Sequence, residues 1–209
     1  MYTPQHFKVV DVAEIKQMIE AQPFGILFSQ TEQGPMGTHL PFFLVDEGEY
    51  GVLYGHMARA NPHWQSTVDN VLVVFSGPHH YISPTWYQKA DNVPTWNYTA
   101  VHAYGKIEVF EEREALLELL DRSVDFFESG LPKPWKMAES QDYAERILGG
   151  IVGFKIVLTK LEGKQKLNQN KSPELQQHVV EALRSQDSAQ AAAVAELMER
   201  QATKKMAKE

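Results

Sequence analysis

Apolar residues recur along this chain with two periods, and each change of period marks a new element. Val12, Ile15, Met18 and Ile19 follow Asp11 at intervals of three and four, predicting an amphipathic helix capped by Asp11 and ended by Pro23. Residues 24–29, 38–45 and 50–56 are strand-rich and are separated by turn residues around Gly34-Pro35 and Gly37 and by Glu47-Gly48-Glu49, which predicts a three-stranded antiparallel meander. Asn61-Pro62 suits the cap and first position of a short helix through Trp64 to about Asp69. A strand over 71–76 follows, punctuated by Gly77-Pro78.

The second half repeats the contrast. After a Trp-, Tyr- and Pro-rich segment over 81–94, Thr99, Val101, Ala103, Gly105, Ile107 and Val109 alternate with Tyr98, His102, Tyr104, Lys106 and Glu108, so 96–110 predicts a strand buried on one face. Residues 111–127 switch to helical period, with Leu116, Leu119, Leu120 and Val124 on one side and Glu111 and Glu112 at the positive end of the helix dipole. A short helix over 142–148 and a last strand over 151–161 complete the body, with Val152, Phe154, Ile156 and Leu158 facing one way. Beyond lie a polar stretch over 162–171, a helix from Ser172-Pro173 to about Arg184, an Ala-rich helix from Ser188 to about Arg200, and an end expected to fray over 203–209. Six or so strands with peripheral helices predict a mainly β fold, a small barrel over 1–165 with a C-terminal helical extension over 166–209.

Charge and composition narrow the function. Residues 1–162 carry 12 basic and 21 acidic residues, a balance of −9, whereas 163–209 carry 8 and 6, a balance of +2. An acidic body disfavours phosphate-backbone contact, so direct DNA binding is left open but unsupported by charge. With no cysteine, disulfides, thiolate metal sites and cysteine nucleophiles are all excluded. No apolar run approaches a membrane span and no leader pattern opens the chain, so a cytoplasmic protein without membrane attachment is expected.

Three segments carry candidate chemistry. Over 55–64 a strand end feeds a capped helix, and Arg59 adds a charged donor fork suited to a phosphate monoester, although a charged turn is the plainer alternative. In Thr38-His39-Leu40-Pro41-Phe42 the proline implies an edge strand or broken pairing, which leaves backbone groups for the rim of a flat heterocycle; an ordinary edge strand is the alternative. The eight histidines lack metal-ligand spacing, so no metal is expected, and Ser76-Gly77-Pro78-His79 is no nucleophile elbow because no helix follows the serine.

Taken together, GHMARANPHW at 55–64, FSGPHHYISPTWY at 75–87, VPTWNYTAVHAYG at 93–105 and KLNQNK at 166–171 resemble the PaiB family of FMN-binding negative transcriptional regulators, connected in bacilli with protease production and sporulation. The resemblance runs from MYTP at the start to about Lys171. It implies an FMN-binding split β-barrel shared with pyridoxamine phosphate oxidase-like flavoproteins, and a homodimer with FMN between subunits. It puts the phosphate at His56, Met57, Arg59, Ala60 and Asn61, with Arg59 foremost, and the flavin edge along Thr38, His39, Leu40 and Pro41. It further suggests that Trp96, Asn97 and Tyr98 reach the partner's flavin and that Lys166, Gln169 and Asn170 close the site, against a plainer reading as barrel core and solvated loop. Position 168 is Asn where the family often has Ser, and 171 is Lys where it often has Arg. Three functions remain open: a regulator using FMN occupancy, a flavin-dependent oxidoreductase with His102 and Tyr98 as proton donors, and a binding module for haem or another planar ligand.

Overall fold

The computed structural model describes residues 1–32, 34–66 and 70–206. Its strands are β1 (Lys8–Val9), β2 (Phe24–Thr31), β3 (Gly34–Pro41), β4 (Phe43–Val45), β5 (Val52–Ala58), β6 (Asn70–Ile82), β7 (Thr95–Phe110) and β8 (Ile151–Lys166). Its α-helices are α1 (Val12–Ala21), α2 (His63–Ser66), α3 (Arg113–Glu128), α4 (Gln141–Ile147), α5 (Pro173–Arg184) and α6 (Ala189–Met206). Contacts divide the chain into two compact units: one comprises 1–15, 76–101 and 162–209, the other 16–75 and 102–161.

In the second unit the strands follow the order β3-β2-β6-β7-β8-β5-β4. β2 and β3 pair antiparallel from Phe24↔Pro41 to Thr31↔Gly34, and β5 pairs with β8 from Val52↔Val157 to Ala58↔Ile151. β3 and β4 end this order as edges, so the ladder is open, as a split barrel requires. Inward positions of alternating strands supply the core, with Leu27, Leu53, Val73, Ala103 and Phe154 fully buried. At its centre the Phe42 ring meets Phe75 at 5.5 Å and Phe154 at 5.9 Å, both edge to face. α3 buries Leu116 and Leu119 and holds Arg122 4.9 Å over the Tyr54 ring.

The expected meander is corrected in its middle strand, because 38–45 is two strands rather than one. Pro41 sits at the last pair with β2 and has no N–H to donate. The next residue, Phe42, donates its N–H to the Pro23 carbonyl at 2.8 Å and drops its ring into the core, so β4 leaves to pair with β5. Among the described residues there are therefore eight strands where about six were expected. A second correction is that β6 runs through Gly77-Pro78 to Ile82. β2 reaches β6 only from Ile26↔Val74 to Phe28↔Leu72, so Pro78 withholds no donor from it. The helix expected after Asn61 spans only His63–Ser66, and positions 67–69 lie outside the described residues.

In the first unit β8 continues past Leu161 to Lys166, because β1 offers it a ladder through Val9↔Gly163 and Lys8↔Lys164. Polarity alone had suggested a loop there. The terminal helices form an apolar cluster in which Val179, Leu183, Ala191, Val194, Ala195 and Met198 pack with Ile82, Tyr87 and Leu167. Ala191 and Ala195, one turn apart and fully buried, give α5 and α6 a close approach, and Arg184 reaches Glu199 at 2.8 Å. α6 extends to Met206, so the fraying expected from 203 does not begin there; 207–209 lie outside the described residues. Among the described residues no helix is long and apolar enough to cross a membrane.

Candidate functional site

The nine residues expected along β3 and after β5 all fall in the second unit, and Trp96, Asn97, Tyr98, Lys166 and Gln169 all fall in the first. On the edge strand β3, Leu40 is buried, whereas Pro41 and His39 are exposed and the His39 ring stacks on Phe24 at 6.1 Å. Thr38 turns inward and contacts His63 Nδ1 through its hydroxyl at 2.7 Å.

After β5 the chain makes a tight turn. The Arg59 N–H donates to Gly150 O at 2.8 Å, the Asn61 N–H to Ala58 O at 2.9 Å, and the Trp64 indole to Arg59 O at 2.9 Å. Met57 is buried, Ala60 is exposed, and burial alone lowers the His56 proton affinity below the usual histidine range. Around the expected helix terminus, where α2 is described over His63–Ser66, the N–H groups of Arg59, Asn61 and His63 already have partners. The Arg59 guanidinium also has partners, donating to Gly149 O at 2.8 Å and Ile151 O at 3.2 Å and pairing with Glu111. A phosphate at this turn would take the place of the Glu111 carboxylate.

The second group surrounds Trp96, which is half exposed with His79 at 5.8 Å and Tyr81 at 6.2 Å between ring centres. Trp96, Tyr98, His79 and Gly77 border an open, largely apolar depression of about 410 Å³. Gly77 belongs to this packing rather than to a strand end, since a Cβ there would overlap the Thr99 side chain. Lys164, buried at 7% exposure, stands 5.0 Å over the Tyr98 ring and donates to Tyr2 O at 3.1 Å. Lys166 donates to Thr95 Oγ1 and, at 2.5 Å, to Trp96 O; desolvation and then the Lys164 charge lower its proton affinity. Neither ammonium has a carboxylate partner among the described residues.

Gln169 is spent locally, accepting from Leu167 N at 2.7 Å and donating to Gln165 O at 2.6 Å, while Asn170 is exposed. Asn168 has φ of 63° and donates to Tyr87 Oη at 3.0 Å, and Asn tolerates that left-handed backbone better than the Ser often found in the resembled family. Lys171 reaches Asn92 Oδ1 at 2.7 Å, a single bond that needs no guanidinium fork. Asn97 is fully buried; its Nδ2 points at Met198 Sδ at 3.4 Å, and its Oδ1 accepts nothing among the described residues. Replacing Asn97 by Leu removes that unmet acceptor and is expected to stabilise the flavin-free protein by about 1–2 kcal/mol in urea denaturation. Destabilisation of similar size would mean that the oxygen is satisfied.

Sequence reasoning missed Ser29, Lys164, Glu111 and the deep burial of His63. The available signal for Ser29 was its inward register with Leu27 and Thr31 on β2.

These features suit a flavin: rings for an apolar plane, an unmet buried amide oxygen, and cations lacking carboxylates. The family described as "Putative FMN-binding domain" matches residues 1–160. Protease synthase and sporulation protein PAI 2 of Bacillus subtilis is 40% identical over 204 residues, spanning 95% of this chain and 97% of that protein. Among solved structures, the conserved hypothetical protein Rv2991 of Mycobacterium tuberculosis superposes with a TM-score of 0.58 at 17% identity, covering 83% of this chain and 94% of that one. The flavocytochrome Anf3 of Azotobacter vinelandii superposes at 0.57 with 16% identity, covering 78% and 72%. At such identities the structures share the fold alone, the split β-barrel with peripheral helices.

Proposed function

Because this chain belongs to the PaiB family of FMN-binding domains and takes FMN as its cofactor, we propose that it is a flavin-responsive negative regulator of transcription acting as a homodimer. The observation that carries this reading is the pairing of the half-exposed Trp96, flanked by His79 and Tyr81, with two ammonium groups, Lys164 and Lys166, that meet no carboxylate among the described residues. A planar anion supplies what both lack, area for the rings and charge for the lysines. When bound, FMN would bring redox-active flavin chemistry to this surface. Thr38–Pro41 would border its rim and Arg59 would hold its phosphate, while Trp96 and Tyr98 would cover the plane of the flavin held by the other subunit of the homodimer.

Support for a second copy comes from the outward face of the sheet in the second unit. Phe28 and Val157 stand 36% and 40% exposed there, and Phe28, Leu72 and Tyr104 line an open depression of about 420 Å³. Apolar area of this kind on a sheet face favours burial against a like surface. Support for regulation over catalysis comes from the name of the Bacillus subtilis relative, which speaks of protease synthesis and sporulation. The acidic body points to regulation without broad contact to DNA phosphates.

Sedimentation of the purified protein with and without FMN tests the reading, alongside an absorbance spectrum and titration with nicotinamide cofactors. The expected result is a yellow dimer that loosens when stripped of flavin and does not turn over reduced nicotinamide. A colourless monomer that takes up no FMN overturns the proposal, and sustained nicotinamide oxidation moves it to an oxidoreductase.

A further inference from the structure

We infer that His63 is a positioning residue of the flavin site: it fixes the Thr38 hydroxyl and thereby joins edge strand β3 to the Arg59–Asn61 turn. The inference rests on the FMN reading above and concerns how two of its segments are held in register.

His63 has no exposed surface. Its Nδ1 lies 2.7 Å from Thr38 Oγ1 and its Nε2 lies 2.7 Å from Ser29 Oγ. Asn61 closes the circuit, donating from Nδ2 to Thr38 Oγ1 at 3.4 Å and accepting the His63 N–H at Oδ1 at 3.0 Å. Asn61 Nδ2 only donates, so Thr38 Oγ1 accepts from it; that hydroxyl has a proton and a second lone pair left, so the neutral imidazole bridges Thr38 and Ser29 with one ring nitrogen donating and the other accepting, in either tautomer. Burial lowers the proton affinity of this imidazole, which keeps it neutral and able to donate at one ring nitrogen and accept at the other.

The 2.7 Å Ser29–His63 contact ties the imidazole to β2. The network thus runs from β2 through the imidazole to β3 and on to the turn. Movement of Asn61 is felt at Thr38, and the reverse.

Two amide substitutions separate positioning from general support, since Asn reproduces the reach of Nδ1 and Gln that of Nε2. FMN affinity is measured by quenching of flavin fluorescence in His63→Asn, His63→Gln, Ser29→Ala, Thr38→Val and Thr38→Ser, with the Tm of each flavin-free protein. His63→Gln and Thr38→Val are expected to weaken FMN about ten-fold, while His63→Asn, Ser29→Ala and Thr38→Ser stay within about three-fold of the parent. Equal weakening by His63→Asn and His63→Gln, or losses that follow the Tm values, would overturn the inference. So would unchanged affinity in all five variants when the parent binds FMN. A parent that binds no FMN at all overturns the cofactor reading first, and this inference with it.

Discussion

Replacing Arg59 by alanine is expected to lower the affinity for FMN about a hundred-fold and to leave riboflavin, which lacks the phosphate, nearly unaffected. A charge-assisted hydrogen bond from guanidinium to phosphate contributes about 1.5–3 kcal/mol, and every 1.4 kcal/mol is roughly ten-fold in affinity. In the structure this guanidinium is already engaged with Glu111 and with the carbonyls of Gly149 and Ile151. The two carbonyl bonds aim the fork; the Glu111 carboxylate occupies the place an oxyanion would take. Both partners are well solvated, at 38% and 47% side-chain exposure, so exchanging one anion for another costs little. Glu111→Gln removes the competing charge and is therefore expected to tighten FMN several-fold while leaving riboflavin alone. Fluorescence titration of both flavins against both variants reads the result. Equal losses for FMN and riboflavin in Arg59→Ala would mean that the side chain serves only to staple the Gly149–Ile151 turn.

That the guanidinium already has an anionic partner could not be read from the sequence, and the reason is general to this fold. Periodicity reports which face of an element is buried, and it located the inward faces of β7 and β8, the buried side of α3, and the span of α5 from its Ser172-Pro173 start. What it cannot report is which distant segment arrives beside a given residue. Glu111 was legible as a favourable charge near a helix start, yet its partner lies 52 residues earlier. The strand ends were misplaced for the same cause. β8 reads as polar after Leu161, and only the arrival of β1 supplies hydrogen bonds that carry it to Lys166. Pro78 reads as a terminator, and only the early end of β2 makes its missing N–H harmless. Pro41 was legible because its effect is local: whatever neighbour is present, it withholds a donor, and the strand breaks at the next residue. In the candidate site, the ring-bearing and charged positions were visible as residue types, whereas the His63 circuit depends on three segments that meet only after folding.

The largest loss of stability from a single methyl group is expected at Gly105, on the buried face of β7. A Cβ at this position would stand 2.5 Å from the Val157 carbonyl oxygen and 2.7 Å from Ile156 Cγ2. The first of these is backbone, so no rotamer change relieves it; β7 and β8 must move apart or buckle. Overpacking in a core commonly costs about 1–3 kcal/mol, and a clash with a ladder carbonyl belongs at or above the upper end. Gly55→Ala meets the Phe154 ring at 2.6 Å, and a ring can tilt, so a cost nearer the middle of that range is expected. Gly149→Ala meets nothing within 4 Å and should change stability by less than about 0.5 kcal/mol. Urea denaturation of the three variants should rank them in that order, and a Gly105→Ala protein as stable as Gly149→Ala would mean that the two strands are not this close. The consequence extends beyond stability, because Tyr104 and Gly105 line the outward depression that also contains Phe28. Strands forced apart there would roughen the face proposed to meet a second copy, so dimer dissociation should rise in Gly105→Ala even at temperatures where the fold survives.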